Sequence, residues 1–246
     1  MTDPERMEPM KTLKVISRLL CYPRADLLGA LEELAAAVEK ERLLPPELRR
    51  RIGTLIAELR ITDLYVLQED YVNLFDRGRA VSLHLFEHVH GESRDRGQAM
   101  VDLVDLYRRH GFELSARELP DYLPLFLEFA SERPVNEARE LLGDAAPVLA
   151  LIGERLALRG SRYGVLFDAL LAFAGAPENL DEIREQAAAE GPDETVVNMD
   201  KYWEEEAVTF LAPGGCGSGQ ATEQPIHWVK PEPAGTVPAK QSVFGG

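Results

Sequence analysis

Apolar residues recur at three- and four-residue spacing through the first 174 or so positions, and strand-like alternation is nearly absent. A chain patterned this way folds as helices that each bury one stripe against their neighbours, so the pattern points to an all-α bundle. Leu27, Leu28, Leu31, Leu34, Ala35 and Val38 form one stripe, with Asp26 placed to cap it. Pro45-Pro46 opens a second, carrying Leu48, Ile52, Leu55, Ile56 and Leu59. Thr62 stands where it can cap a third, with Leu64, Leu67, Tyr71, Leu74 and Phe75 on the buried side. Met100, Leu103, Val104 and Tyr107 repeat the spacing, and Gly111 supplies a stop. Ser115-Ala-Arg-Glu118 fits a capping box, with Pro120 in the following first turn. Asn136 begins a stretch through Leu141, Leu142, Leu149 and Ile152 that is kinked or divided at Pro147. Tyr163, Leu166, Phe167, Leu170 and Phe173 close the packed part. The expectation is a single helical-bundle domain of about eight to ten helices over residues 1–211.

Two segments break the pattern. Residues 178–206 hold 11 acidic and 2 basic side chains, a net of −9, and the simplest reading of such a run is a solvated face. Within it Val196, Met199, Tyr202 and Trp203 have the spacing of one amphipathic helix that docks on the body. From 212 to 246, 12 of 35 residues are Pro or Gly, a composition that buries too little apolar surface to offset its ordering entropy, so a flexible tail is expected.

Charge narrows the function classes. Against 27 basic residues stand 42 acidic ones, for a net charge of −15 in 246 residues. Phosphate backbones and anionic lipid surfaces need a positive footprint, so nucleic acid and membrane are disfavoured and a basic peptide is favoured. No apolar run approaches the ~20 residues of a spanning helix, and Met1-Thr2-Asp3-Pro4-Glu5 lacks a basic-then-apolar leader, so a soluble, cytoplasmic protein is expected. Cys21 and Cys216 are too few for a disulfide framework; Cys21 reads as a buried small hydrophobe.

Catalytic chemistry has one place to start, Leu83-His-Leu-Phe-Glu-His-Val-His-Gly91. On a helix His84 and His88 share a face as paired metal ligands do, and with Glu87 they make a small metal-dependent hydrolase the enzymatic alternative. Yet Glu87 directly precedes His88, which is not the His-Glu-x-x-His order. A third ligand from His90, His110 or a carboxylate has no committing spacing. Histidines that satisfy backbone groups or line a groove fit better, and no metal or cofactor is expected. Pro213-Gly-Gly-Cys-Gly-Ser-Gly219 lacks the strand, helix and Lys-Ser/Thr pair of a phosphate loop and reads as a hinge. Asp76-Arg-Gly-Arg79 and Gly91-Glu-Ser-Arg-Asp-Arg-Gly97 interleave arginines with carboxylates at helix boundaries, a pattern that serves both loop clamps and direct ligand contacts.

These two loops also carry a resemblance. Asp70-Tyr-Val-Asn-Leu-Phe-Asp-Arg-Gly-Arg79, followed by Ser82-Leu-His-Leu-Phe-Glu-His-Val-His-Gly-Glu-Ser-Arg-Asp-Arg-Gly-Gln-Ala-Met100, resembles the NarJ-type assembly chaperones of respiratory nitrate reductase, relatives of the TorD-like molybdoenzyme chaperones. Glu118-Leu-Pro-Asp-Tyr-Leu-Pro-Leu125, Ser161-Arg-Tyr163 ahead of Leu166-Phe-Asp168, and Trp203-Glu-Glu-Glu206 ahead of Gly215-Cys-Gly217 extend it over most of residues 10–217.

The resemblance implies a non-enzymatic, all-helical chaperone. It would bind the N-terminal peptide of the nitrate reductase catalytic subunit and hold that subunit for molybdenum cofactor insertion. It would take no part in the final enzyme. Carried onto this chain, the peptide-binding candidates are Tyr71, Phe75, Asp76, Arg79, Glu87, His88, His90, Glu92, Arg94 and Arg96, with Asp121 and Tyr122 as weaker ones. A plain helical scaffold shares every compositional feature and stands as the non-chaperone alternative. A basic amphipathic client helix suits an acidic chain, because apolar anchors at i, i+3, i+4 and i+7 seat in a groove while acidic neighbours attract its charges.

Overall fold

The computed structural model describes residues 9–90, 94–114 and 118–190, with backbone only at His90 and Arg94. The described residues form eleven α-helices and no strand. In chain order they are α1 (Lys11–Leu19), α2 (Ala25–Glu41), α3 (Pro46–Ile61), α4 (Leu64–Tyr71), α5 (Leu85–His90), α6 (Arg94–Arg109), α7 (Leu123–Ser131), α8 (Val135–Asp144), α9 (Ala146–Leu158), α10 (Gly164–Ala174) and α11 (Leu180–Ala189). A π-helical turn, Val72–Asp76, extends α4. The all-α expectation is met with one helix more than its upper bound. The short α5 and the acidic-run helix α11 escape a count based on long stripes.

Prolines set several starts. Pro46, Pro124 and Pro147 each sit in the first turn of a helix, where the missing N–H would have had no intrahelical partner. Pro147 therefore divides the 136–152 stretch into α8 and α9 rather than kinking one helix. Gly111, at φ +70°, ends the turn after α6 in a conformation that side chains with a Cβ rarely adopt.

Three local expectations are corrected. Asp63, not Thr62, caps α4: its carboxylate accepts from the Tyr65 N–H at 2.9 Å, while the Thr62 hydroxyl donates back to the Glu58 carbonyl at 2.8 Å. Asp26 lies inside the first turn of α2 behind Arg24 and pairs with Arg18 at 2.9 Å. Residues 118–122 are not helical, and the next helix, α7, begins only at Leu123. The Pro120 carbonyl is taken by the Tyr107 hydroxyl at 2.8 Å, and Tyr122 pairs with His84 in an isolated bridge, which holds this segment extended. The rest of the Ser115–Glu118 capping-box expectation, the 196–203 helix, Cys216 and the 212–246 tail lie outside the described residues.

Carbon contacts assemble the bundle. α1 packs on α7 and α2, α2 on α3, α9 on α10 and α11, and α10 also on α8 and α3. One large core joins Leu13, Ile16, Leu31, Ile52, Leu127, Phe129, Leu149, Phe167 and their neighbours, and each such side chain contributes roughly 1.5–3 kcal/mol by leaving water. A satellite core of Ala150, Leu151, Ile183 and Ala187 seats α11 on α9. Inside the acidic run this two-turn apolar stripe makes residues 180–189 a packed helix as well as a charged face. No helix among the described residues is long and apolar enough to cross a membrane.

Candidate functional site

The π turn is where α4 meets the first recognition loop. Its extra residue is taken up by a bond from the Arg77 N–H to the Val72 carbonyl at 3.0 Å. Tyr71 and Phe75 face inward, only 3% and 5% exposed. Their rings lie 5.0 Å apart, Phe75 meets Tyr163 at 5.3 Å, and the Tyr71 hydroxyl donates to the Leu20 carbonyl at 2.9 Å. Burial pushes the Tyr71 phenol well above its ordinary range, so it is a neutral donor.

Beyond the turn, residues 82–86 run against 121–123. The Leu85 N–H donates to the Asp121 carbonyl at 3.0 Å and the Leu123 N–H to the Leu83 carbonyl at 2.8 Å. Asp121 is wholly buried, so its carboxylate needs internal partners. His84 Nδ1 lies 3.2 Å from one oxygen, the Phe86 N–H donates to the other at 3.2 Å, and Arg96 stands 3.8 Å off. Arg96 also meets Glu87 at 3.3 Å. The bond to Asp121 raises the pKa of His84 above its ordinary value and fixes Nδ1 as the donor.

His88 is arranged in the opposite sense. Its Nε2 lies 2.8 Å from the Ser82 carbonyl, which can only accept, so Nε2 carries the proton. Its Nδ1 then accepts from Arg155 of α9 at 3.2 Å. Burial pushes His88 below its ordinary value and keeps the ring neutral. Arg155 donates further to the Ala80 carbonyl at 2.7 Å and grips both oxygens of Glu190, one from Nε at 2.6 Å and the other from a terminal nitrogen at 2.5 Å.

In front of this wall three cavities share lining residues and join into one groove. The largest, about 580 Å³, is lined by Asp76, Arg79, Ser82, His84 and Glu87 among others. It shares Phe75, Asp76 and His84 with one of about 270 Å³ that adds Tyr22, Tyr71, Glu118 and Tyr122. Tyr22, Glu118 and Tyr122 lead on to a third of about 250 Å³, bordered by Arg18, Arg24 and Asp26. Partial burial raises the Asp76 carboxyl above its ordinary value, and nearby His84 opposes that shift. Cys21, expected in the core, is instead half-buried beside the third cavity, its thiol 3.4 Å from the Ser17 carbonyl.

The candidates named by the sequence thus separate by position. Asp76, Arg79 and Glu87 line the groove; Tyr71, Phe75 and Tyr122 form its aromatic floor; Asp121, Arg96 and His88 stand in or behind the wall. His90 and Arg94 are placed by backbone alone at the end of α5 and the start of α6, and Glu92 lies outside the described residues. The hydrolase alternative loses its premise, because His84 precedes α5 and faces Asp121, while both nitrogens of His88 are engaged elsewhere. Among the described residues no three His, Cys, Asp or Glu side chains come together as a metal would require. Sequence reasoning passed over Arg155, Tyr22, Arg18 and Arg24. Only Arg18 and Arg24, flanking Leu-Leu-Cys-Tyr-Pro, offered a charge signal, and Arg155 offered none.

A family model described as nitrate reductase delta subunit matches residues 32–167. The nitrate reductase molybdenum cofactor assembly chaperone NarJ of Escherichia coli K12 is 49% identical over 213 residues, 87% of this chain and 90% of that protein. The probable chaperone NarW of the same strain is 43% identical over 202 residues, 82% and 84% of the two chains. A probable NarJ chaperone of Bacillus subtilis is 29% identical over 161 residues, 65% and 86%. Helical bundle, open groove and relatives together place the chain among the all-α assembly chaperones, a class of non-enzymes. It belongs to the family of NarJ-type nitrate reductase molybdenum cofactor assembly chaperones.

Proposed function

We propose that this protein binds the N-terminal region of the catalytic subunit of a respiratory nitrate reductase. It does so in the cytoplasm, holds that subunit competent for molybdenum cofactor insertion, and takes no place in the final enzyme. The observation that carries this reading is the continuous groove, with an aromatic floor at Tyr71, Phe75 and Tyr122 and carboxylates at Asp76 and Glu87. A short amphipathic helix fits such a groove, its apolar residues on the floor and its basic ones against the rim.

Titrating a synthetic peptide of the client's N-terminal segment at low and high salt tests the reading. Exposed charge pairs contribute ~0.2–1 kcal/mol each and fade as the screening length falls from ~10 Å at 0.1 M salt to ~3 Å at 1 M. Two or three of them change affinity by about tenfold, since ~1.4 kcal/mol is a decade. The Asp76→Ala, Glu87→Ala double variant is expected to bind that much more weakly at low salt and to converge on wild type at high salt. Salt-independent binding by wild type removes the electrostatic rim from the account. No binding by wild type removes the client assignment.

A further inference from the structure

Resting on that client reading, we propose that Arg155 is a positioning residue for client binding, which sets the loop wall of the groove from behind through Ala80 and His88 and is itself held by Glu190. The groove's largest cavity is lined by Arg77, Gly78, Arg79 and Ser82, residues of a connection with no regular secondary structure of its own. Such a segment keeps a defined shape only where other groups satisfy its backbone. Arg155 supplies that at two points. One terminal nitrogen donates to the Ala80 carbonyl, in the middle of the lining stretch, and also to His88 Nδ1, whose far nitrogen is bonded to the Ser82 carbonyl. One guanidinium thus braces two carbonyls of the lining loop, the second through an imidazole.

Glu190 explains why the guanidinium stays. It engages Nε and the second terminal nitrogen as a fork, leaving the first free to reach the loop, and Arg155 holds the Glu190 carboxyl below its ordinary range. The Arg155 side chain is only 13% exposed, so screening by water is limited. A lysine in the same place has a charge and three donors but no planar fork, so it cannot serve carboxylate, imidazole and carbonyl in this geometry. The residues joined here come from α9, α5, the 77–84 loop and the end of α11, and Arg155 and Glu190 themselves line none of the groove's three cavities.

The test measures peptide affinity and amide hydrogen exchange on the full chain for Arg155→Ala, Arg155→Lys, Glu190→Gln and a control, Arg139→Ala. Arg139 donates to the Phe173 carbonyl at 3.0 Å and stacks on the Phe173 ring, away from the groove, so its loss reports stability alone. At a temperature where every variant is fully folded, Arg155→Ala is expected to bind the client peptide about tenfold more weakly, with faster exchange over residues 80–88. Arg155→Lys and Glu190→Gln are expected to fall between it and wild type, and Arg139→Ala to match wild type. Equal affinity for Arg155→Ala and wild type overturns the proposal and leaves the client reading intact. An equal loss in Arg139→Ala also overturns it, since stability then accounts for the effect. A wild-type protein that fails to bind the peptide overturns the client reading first and this proposal with it.

Discussion

Between α9 and α10 the contact is almost wholly carbon: Leu149, Ile152 and Leu156 face Leu166, Phe167 and Leu170, all fully buried. In the neighbouring wall from Arg77 to His88 only Val81, Leu83 and Leu85 are buried hydrophobics, apart from the one buried hydroxyl of Ser82. There, direction comes from hydrogen bonds to Asp121, Ser82, Ala80 and Arg155. Carbon packing is non-directional and forgives a change of shape at constant volume. Polar bracing is the reverse: its energy per contact is modest, but removing one partner orphans the others. Robustness is thus concentrated in the helix pairs and orientation in the wall.

Truncating the carbon side should give the largest effect. Phe167→Ala is expected to lower the unfolding free energy by ~3–5 kcal/mol in urea titration, while the folded fraction still binds client peptide normally. Should binding fail at full folding, the carbon core and the polar wall are coupled. On the polar side Asp121→Ala leaves the Phe86 N–H and His84 without their carboxylate and is expected to cost ~1–3 kcal/mol, with weakened client binding that Phe167→Ala does not show.

Titration sharpens the contrast, because the wall holds two histidines shifted in opposite directions. His88 lies below its ordinary 6.5 when folded, so the unfolded chain binds its proton first and stability is lost as pH falls below about 6.5. His84 lies above 6.5 when folded; its contribution is complete below 6.5 and is lost as pH rises through the folded value. Stability curves from pH 5 to 8 should therefore lose their acid-side decline in His88→Gln and their alkaline-side decline in His84→Gln. Parallel curves for the two variants would contradict the assigned partners. The smallest effect belongs to neither region: Arg60 and Glu32 pair at 2.7 Å in open solvent, and Arg60→Ala should cost under ~1 kcal/mol and nothing measurable in 1 M salt.

The same division decided what could be read from the letters. Stripes such as Ile52, Leu55, Ile56 and Leu59 foretell α3 because burial follows the helical period, and Pro46 marks its first turn. Ile183 and Ala187 were overlooked as a helix face because two apolar positions are outweighed by surrounding acids. In the groove, Asp76, Arg79 and Glu87 were legible through contiguous strings that resemble a family. Arg155 was not, since it reaches Ala80 across 75 positions and Glu190 across 35, and no local pattern records such a pairing. Thr62 against Asp63 shows the limit of capping rules: both residue types qualify, and the choice follows from where the preceding helix ends.

The π turn at Val72–Asp76 makes the residue count of this stretch as consequential as its composition. It holds one residue more than an α-helical turn of the same height, and each residue of an α-helix advances the chain by about 100° around the axis. Excising any one position between 72 and 76 would let the ladder close to ordinary spacing and swing everything downstream through that angle. Asp76 would leave the groove mouth, and the Arg77–Arg79 run would enter α9's side of the loop out of phase with the Arg155 guanidinium. Substitutions here alter the strength of individual contacts; a single-codon deletion would misalign all of them together.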